Sequence, residues 1–126
     1  MLGQGRQVAM IGSSSSSSSS SSVVYVGVSY IKTLPGDDLS TNHFALVSSD
    51  PDLVQPLWNY QKANPVPLVE ADVRAGPADL PVHYSQSLGL TLGGAICFDM
   101  DFPSYILQAG TKKVGWLVHG CEMLTY

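Results

Sequence analysis

Cys97 is the side chain best placed in this sequence to act as a nucleophile. It lies near the end of an apolar run, Thr91 to Phe98, and Pro103, a residue suited to the first turn of a helix, follows shortly after. A thiol standing where a strand emerges and a helix begins has its ionised form favoured by backbone N–H groups and by the helix dipole. An ordinary thiol, with a pKa of about 8.5, is only a few per cent ionised at neutral pH, so a neighbouring cation or base has to assist. A cysteine alone in such a run is more commonly structural, and what raises Cys97 above that is the pattern of residues around it and upstream. The other cysteine, Cys121, has no C-x-x-C relation to it. His43, His83 and His119 are far apart in sequence, so no zinc pattern forms, and two reduced thiols with no metal and no cofactor are expected.

Upstream lies Tyr60-Gln61-Lys62-Ala63-Asn64-Pro65-Val66-Pro67-Leu68-Val69-Glu70, and around the thiol Gly94-Ala95-Ile96-Cys97-Phe98-Asp99-Met100-Asp101-Phe102-Pro103-Ser104. These two segments resemble the lysine and cysteine motifs of the nitrilase superfamily, the carbon–nitrogen hydrolases, and most closely its apolipoprotein N-acyltransferase branch. In that branch an aromatic residue and a lysine precede a Val-Pro and then a glutamate, and an Ile-Cys-aromatic-acid run leading to Phe-Pro holds the nucleophile. The resemblance spans roughly Tyr25 to Lys113. It implies that Cys97 attacks a carbonyl or nitrile carbon to give a thioester or thioimidate. Lys62 would steady the developing oxyanion together with the Phe98 backbone N–H. Glu70 would be the second acid that organises the site around Lys62, and Asp99, where the branch usually has glutamate, would orient the substrate loop. The implied substrate is a small amide, nitrile or acyl donor, and the implied fold is α/β, part of a four-layer α-β-β-α sandwich.

The sequence departs from the family in two places. The family's general base is a glutamate well before the lysine, yet the only glutamates here are Glu70 and Glu122. Past Lys113 the family's Pro-Ser-Trp-like segment is replaced by Val114-Gly115-Trp116-Leu117-Val118-His119-Gly120. The expectation is therefore a piece of a truncated or mis-spliced product that cannot turn over substrate, with a non-catalytic pseudoenzyme or partner-binding fragment as the alternative. A papain-like pairing of Cys97 with His83 or His119 is a third reading. It is disfavoured because His83 falls in a polar loop and His119 in the divergent tail.

The elements that would hold these residues follow from patterning. Val23 to Ile31 is rich in β-branched and aromatic residues, nearly continuous in apolar character, and reads as a strand covered on both faces. Turn chemistry at Leu34 to Asp38 leads into a second strand, His43 to Ser48, so the two form a hairpin. A short aromatic segment, Leu57 to Tyr60, precedes a proline-punctuated loop from Asn64 to Pro81, long enough that a functional role is expected of it. Tyr84 to Leu88 and Thr91 to Phe98 read as strands. A helix from Pro103 to about Ala109 is expected, with Asp101 as its N-cap and Gly110 as its stop, and Val114 to Val118 could form one more strand.

Composition sets the outer bounds. The chain has 126 residues, enough for one domain, of which 44% are hydrophobic and 13% charged, the latter well under the average of about 25%. So apolar a chain suggests a piece of something larger, whose exposed sheet edges would pair with another chain, possible homo-oligomers included. Net charge is −4, and the six Lys and Arg form no stripe that could track phosphates, so nucleic acid is not an expected partner. No apolar stretch reaches the length of a membrane span, and no signal peptide is evident, which favours a cytoplasmic location. The serine run Ser13 to Ser22 has nothing apolar to bury. Residues 1–22 are therefore expected to be disordered, 23–113 to form the partial hydrolase domain and 114–126 a divergent tail.

Overall fold

The computed structural model describes residues 7–14, 22–33 and 35–120. The first of two sheets has the order β1-β2-β3-β4 and is antiparallel throughout, built from β1 (Gln7–Ser14), β2 (Val23–Thr33), β3 (Ser40–Ser48) and β4 (Trp58–Gln61). The β2–β3 hairpin forms where the sequence predicts it, closed by a turn in which Gly36 takes a φ of 81°, a conformation open to glycine at little cost. Within the segment expected to be disordered, Gln7 to Ser14 form a strand in which Ser13 and Ser14 pair with Val24 and Val23. Serine has no apolar side chain, but its backbone groups can still complete a ladder offered by β2. Residues 15–21 lie outside the described residues.

The second sheet has the order β5-β6-β7, with β5 (Val82–Ser85) antiparallel and β7 (Val114–Gly120) parallel to the central β6 (Leu90–Ile96). Parallel neighbours need a long crossover. Here it consists of a 3-10 turn, Cys97–Asp101, followed by α1 (Pro103–Thr111). Pro103 starts the helix as predicted, but Phe102, with no side-chain hydrogen bond, stands at the N-cap in place of Asp101, which belongs to the preceding turn. Gly110 lies inside the helix, and the chain leaves it through Lys113 at a φ of 54°. The Tyr105 hydroxyl donates to the Gly94 carbonyl at 2.8 Å and pins α1 to β6.

One core joins both sheets. It contains Tyr25, Phe44, Leu46 and Trp58 from the first, Leu92, Ala95, Ile96 and Val118 from the second, and Tyr105 from the helix. Two glycines let the sheets approach: a Cβ at Gly94 would lie 2.9 Å from the Trp58 ring, and one at Gly120 would lie 3.1 Å from the Phe44 ring. Complete burial of side chains such as Leu46 and Phe44 stabilises the fold by roughly 1.5–3 kcal/mol each.

This architecture overturns the predicted α/β sandwich. The chain is mostly β, two small sheets with a single α-helix among the described residues, so the helical outer layers of an α-β-β-α arrangement are not formed. The reason is visible in the segments between strands. The long connection after β4 carries Pro65, Pro67, Pro77 and Pro81, which remove backbone donors and clash with the preceding helical turn. It remains without a helix, tied to β3 by a bridge from Val73 to Ser40 and to Lys62 by the Gly76 N–H. Among the described residues no helix is long and apolar enough to cross a membrane.

Candidate active site

β4 delivers Lys62. The ladder with β3 runs from Leu46–Trp58 to His43–Gln61 and continues one step further, where the Lys62 N–H donates to the Asn42 carbonyl at 2.8 Å. Alternation along β4 buries Trp58 and Tyr60, and Lys62, at the next position in phase, follows them inward to only 2% exposure. A surface lysine, the ordinary expectation for this residue type, is thereby ruled out. A buried ammonium needs a counter-charge, and Glu70 supplies it, its Oε2 lying 2.6 Å from Lys62 Nζ. Glu70 is held in turn: the Val66 N–H donates to Oε2 at 2.6 Å, and Asn42 Nδ2 lies 3.4 Å from Oε1. The loop that the sequence marked as long thus returns its carboxylate to the residue that precedes it.

Asp99, fully buried, joins this segment to the turn that begins at Cys97. Its Oδ1 accepts from the backbone N–H of Asn64 at 2.8 Å and from Asn64 Nδ2 at 2.9 Å. Its Oδ2 accepts from the Tyr60 hydroxyl at 2.8 Å and from the Ile96 N–H at 3.1 Å. Four donors on one carboxylate make a dry charge tolerable. Tyr60 is fixed from both sides, donating to Asp99 and accepting the Ala63 N–H at 2.9 Å. Burial first, with Tyr105 and Asp99 adding to it, pushes the Tyr60 hydroxyl far above its ordinary pKa, so it remains a proton donor. The sequence reading makes Asp99 an orienter of the substrate loop, and what Asp99 orients in the structure is the Tyr60–Asn64 segment.

Cys97 begins the 3-10 turn and is half-buried. Its φ of 42° is a left-handed value that a residue with a Cβ adopts at a cost of about 1–2 kcal/mol. Strained strand-to-helix turns are a recurrent way of presenting a nucleophile. Phe98 packs edge-on against Phe102 at 5.1 Å, which anchors the turn on its apolar side. As a residue in the first turn, Phe98 has a backbone N–H without an acceptor within that turn. All five residues singled out in the sequence, Cys97, Lys62, Glu70, Asp99 and Phe98, therefore belong to two chain segments that the Asp99 hydrogen bonds hold side by side.

Asn42, Tyr60 and Asn64 are parts of this network that the sequence reading did not name. Asn42 occupies the core face of β3 in phase with Phe44 and Leu46, and a polar residue in that phase was the available signal. His119, set aside in the sequence reading, stands in the structure with Nε2 3.4 Å from the Cys97 carbonyl oxygen. His83 lies on β5 opposite Leu92, well back along the strand from Cys97. Cys121 and Glu122 lie outside the described residues. No group of three or more His, Cys, Asp or Glu side chains that could hold a metal ion occurs among the described residues. Compared with known proteins, the chain matches no protein-family model and no curated protein.

Proposed function

We propose that the chain carries the nucleophile side of an acyl-cysteine site, with chemistry of the carbon–nitrogen hydrolase and N-acyltransferase kind. Cys97 attacks the carbonyl or nitrile carbon of a small amide, nitrile or acyl donor, and Lys62 with the Phe98 backbone N–H steadies the negative charge that develops. Glu70 holds Lys62 in place. Asp99 is a positioning residue, since it is buried among its four donors and acts through the segment it ties down. The observation that carries the proposal is the pair of hydrogen bonds that the Asn64 backbone N–H and Nδ2 donate to Asp99 Oδ1. They bring a buried Lys–Glu pair to a turn that opens on a strained cysteine. No glutamate precedes Lys62 in the sequence, so the family's own base is not supplied, and acylation of the thiol is expected without rapid turnover.

Labelling with iodoacetamide at neutral pH, followed residue by residue by mass spectrometry, tests this. Cys97 is expected to react well ahead of Cys121, and Lys62→Met to slow it selectively. Equal and slow labelling of the two thiols would end the enzyme reading and leave a non-catalytic, partner-binding domain.

A further inference from the structure

Among the described residues, one face of the first sheet is covered and the other is not. Alternation along β2 and β3 turns Tyr25, Ser29, Phe44 and Leu46 toward β6 and β7 of the second sheet. Val24, Val26 and Val28 on β2, with Ala45 and Val47 on β3, take the opposite phase and stand outside the core. The valines are half-exposed, and Ala45, sunk between its neighbours, is the one described buried apolar residue that does not belong to the core. Tyr30 and His43, stacked at 5.0 Å, extend the face along the strands, and β1 sets Val8 and Met10 beside Val28 and Val26. The one described α-helix lies on the second sheet, held to β6 by Tyr105. An apolar face of this extent is costly to leave in water and marks a contact surface.

Charge and area say what covers it. No Asp, Glu or Arg occupies the outward positions of β2, β3 and β4, and Lys32, the one cation, stands at the hairpin end. A centre without charge offers an ionic partner nothing to pair with, and it can meet its own copy without repulsion. Val28 lies opposite Ala45 at the middle of the face. Lys32 is four residues along β2 on one side of Val28, and Val24, which accepts from the Ser49 N–H, is four residues along on the other, next to Asp50 and Asp52. A twofold axis crossing the strands at Val28 and Ala45 therefore brings Lys32 of each copy over the acidic end of the other. A twofold along the strands would set Lys32 against Lys32. Strands of 8, 11, 9 and 4 residues give the face roughly 500 Å², at about 4.8 Å between strands and 3.3 Å per residue, so two copies would cover about 1,000 Å², the size from which a specific interface holds. We propose that the outward face of β2 and β3 joins two copies of this chain, sheet against sheet, about the twofold that crosses the strands.

Sedimentation velocity of the full chain across a concentration series tests this, with far-UV circular dichroism reporting whether each variant is folded. The wild type is expected to sediment as a dimer that dissociates on dilution. Val26→Glu changes a half-exposed position near the middle of the contact and is expected to raise the dissociation constant by about a hundredfold or more, since each copy then buries an unpaired carboxylate. Lys32→Glu lies at an exposed site that the fold does not depend on, so it carries the test if Val26→Glu does not fold. It is expected to weaken the dimer by about threefold to tenfold, and adding Asp52→Lys to recover part of that loss. A wild type that stays monomeric at every concentration would overturn the proposal and leave the face to a different protein. A dimer that folded Val26→Glu leaves as tight as before would overturn it too, placing the contact elsewhere, as on the β5 and β7 edges. A dimer tightened by Lys32→Glu would overturn the twofold across the strands.

Discussion

At the scale of single residues, the buried Lys62–Glu70 pair sets the strongest expectation. Removing one partner of a buried pair strands the other charge, at a cost of about 3–5 kcal/mol, whereas replacing both by apolar groups of similar size is often neutral. Glu70→Gln is therefore expected to lower the unfolding free energy measured in urea by an amount in that range. The double variant Lys62→Met/Glu70→Leu is expected to recover most of the loss while leaving Cys97 slow to alkylate. Such a split would mean that the pair is retained for the thiol's chemistry and not for the fold. The pairing of Lys62 with Glu70 was legible in the sequence, because the two sit eight positions apart in one motif. The hydrogen-bonding supports were not. Asn42, Tyr60 and Asn64 are ordinary residue types whose roles arise only when β4 and the 3-10 turn meet in space.

At the scale of elements, α1 is held to β6 by the bond from Tyr105 to the Gly94 carbonyl, both groups being buried. Tyr105→Phe keeps the ring and removes that donor. It is expected to cost about 1–2 kcal/mol in chemical denaturation, since a buried carbonyl is left without its partner. On β3, burial and the Lys32 charge hold the His43 imidazole below its ordinary value of 6.5, outweighing the Asn59 side chain, which pulls the other way. The unfolded chain therefore takes up a proton first as pH falls. The contribution is fully present above pH 6.5 and is lost below it, toward the folded-state value. His83, lowered by burial, has the same sign. Thermal melts between pH 7.5 and 5 are expected to show a shallower loss of stability for His43→Gln than for wild type. β2, the hairpin and the helix start were readable from patterning and from Pro103. β4 was not, because four residues flanked by loops give too short an alternation to separate a strand from an aromatic loop.

For the whole molecule, the two sheets share one core, so neither is a separate unit. Trp58 lies in the first sheet and packs on Gly94 of the second. Tryptophan fluorescence and far-UV circular dichroism are expected to report a single, coincident unfolding transition. Two transitions would mean that the sheets melt apart. The expected four-layer sandwich was an inference from motifs, and short motifs do not fix the layers around them. What the motif resemblance left out of account is that a proline-punctuated chain after β4 cannot supply an outer helix. The sheet edges formed by β5 and β7 remain, with Tyr84 and Trp116 exposed on them.

The tip of the loop that carries Glu70 has a practical consequence for handling the protein. Leu68 is 96% exposed and sits at a φ of 67°, which makes the Leu68–Val69 peptide bond the natural first target for a chymotrypsin-type protease among the described residues. Beyond that bond the chain is stitched back by Glu70 to Lys62, by Asp72 and Arg74 to Ser40 and by Gly76 to Lys62. A clipped molecule would therefore run as two bands on a denaturing gel yet elute from a sizing column as one intact species.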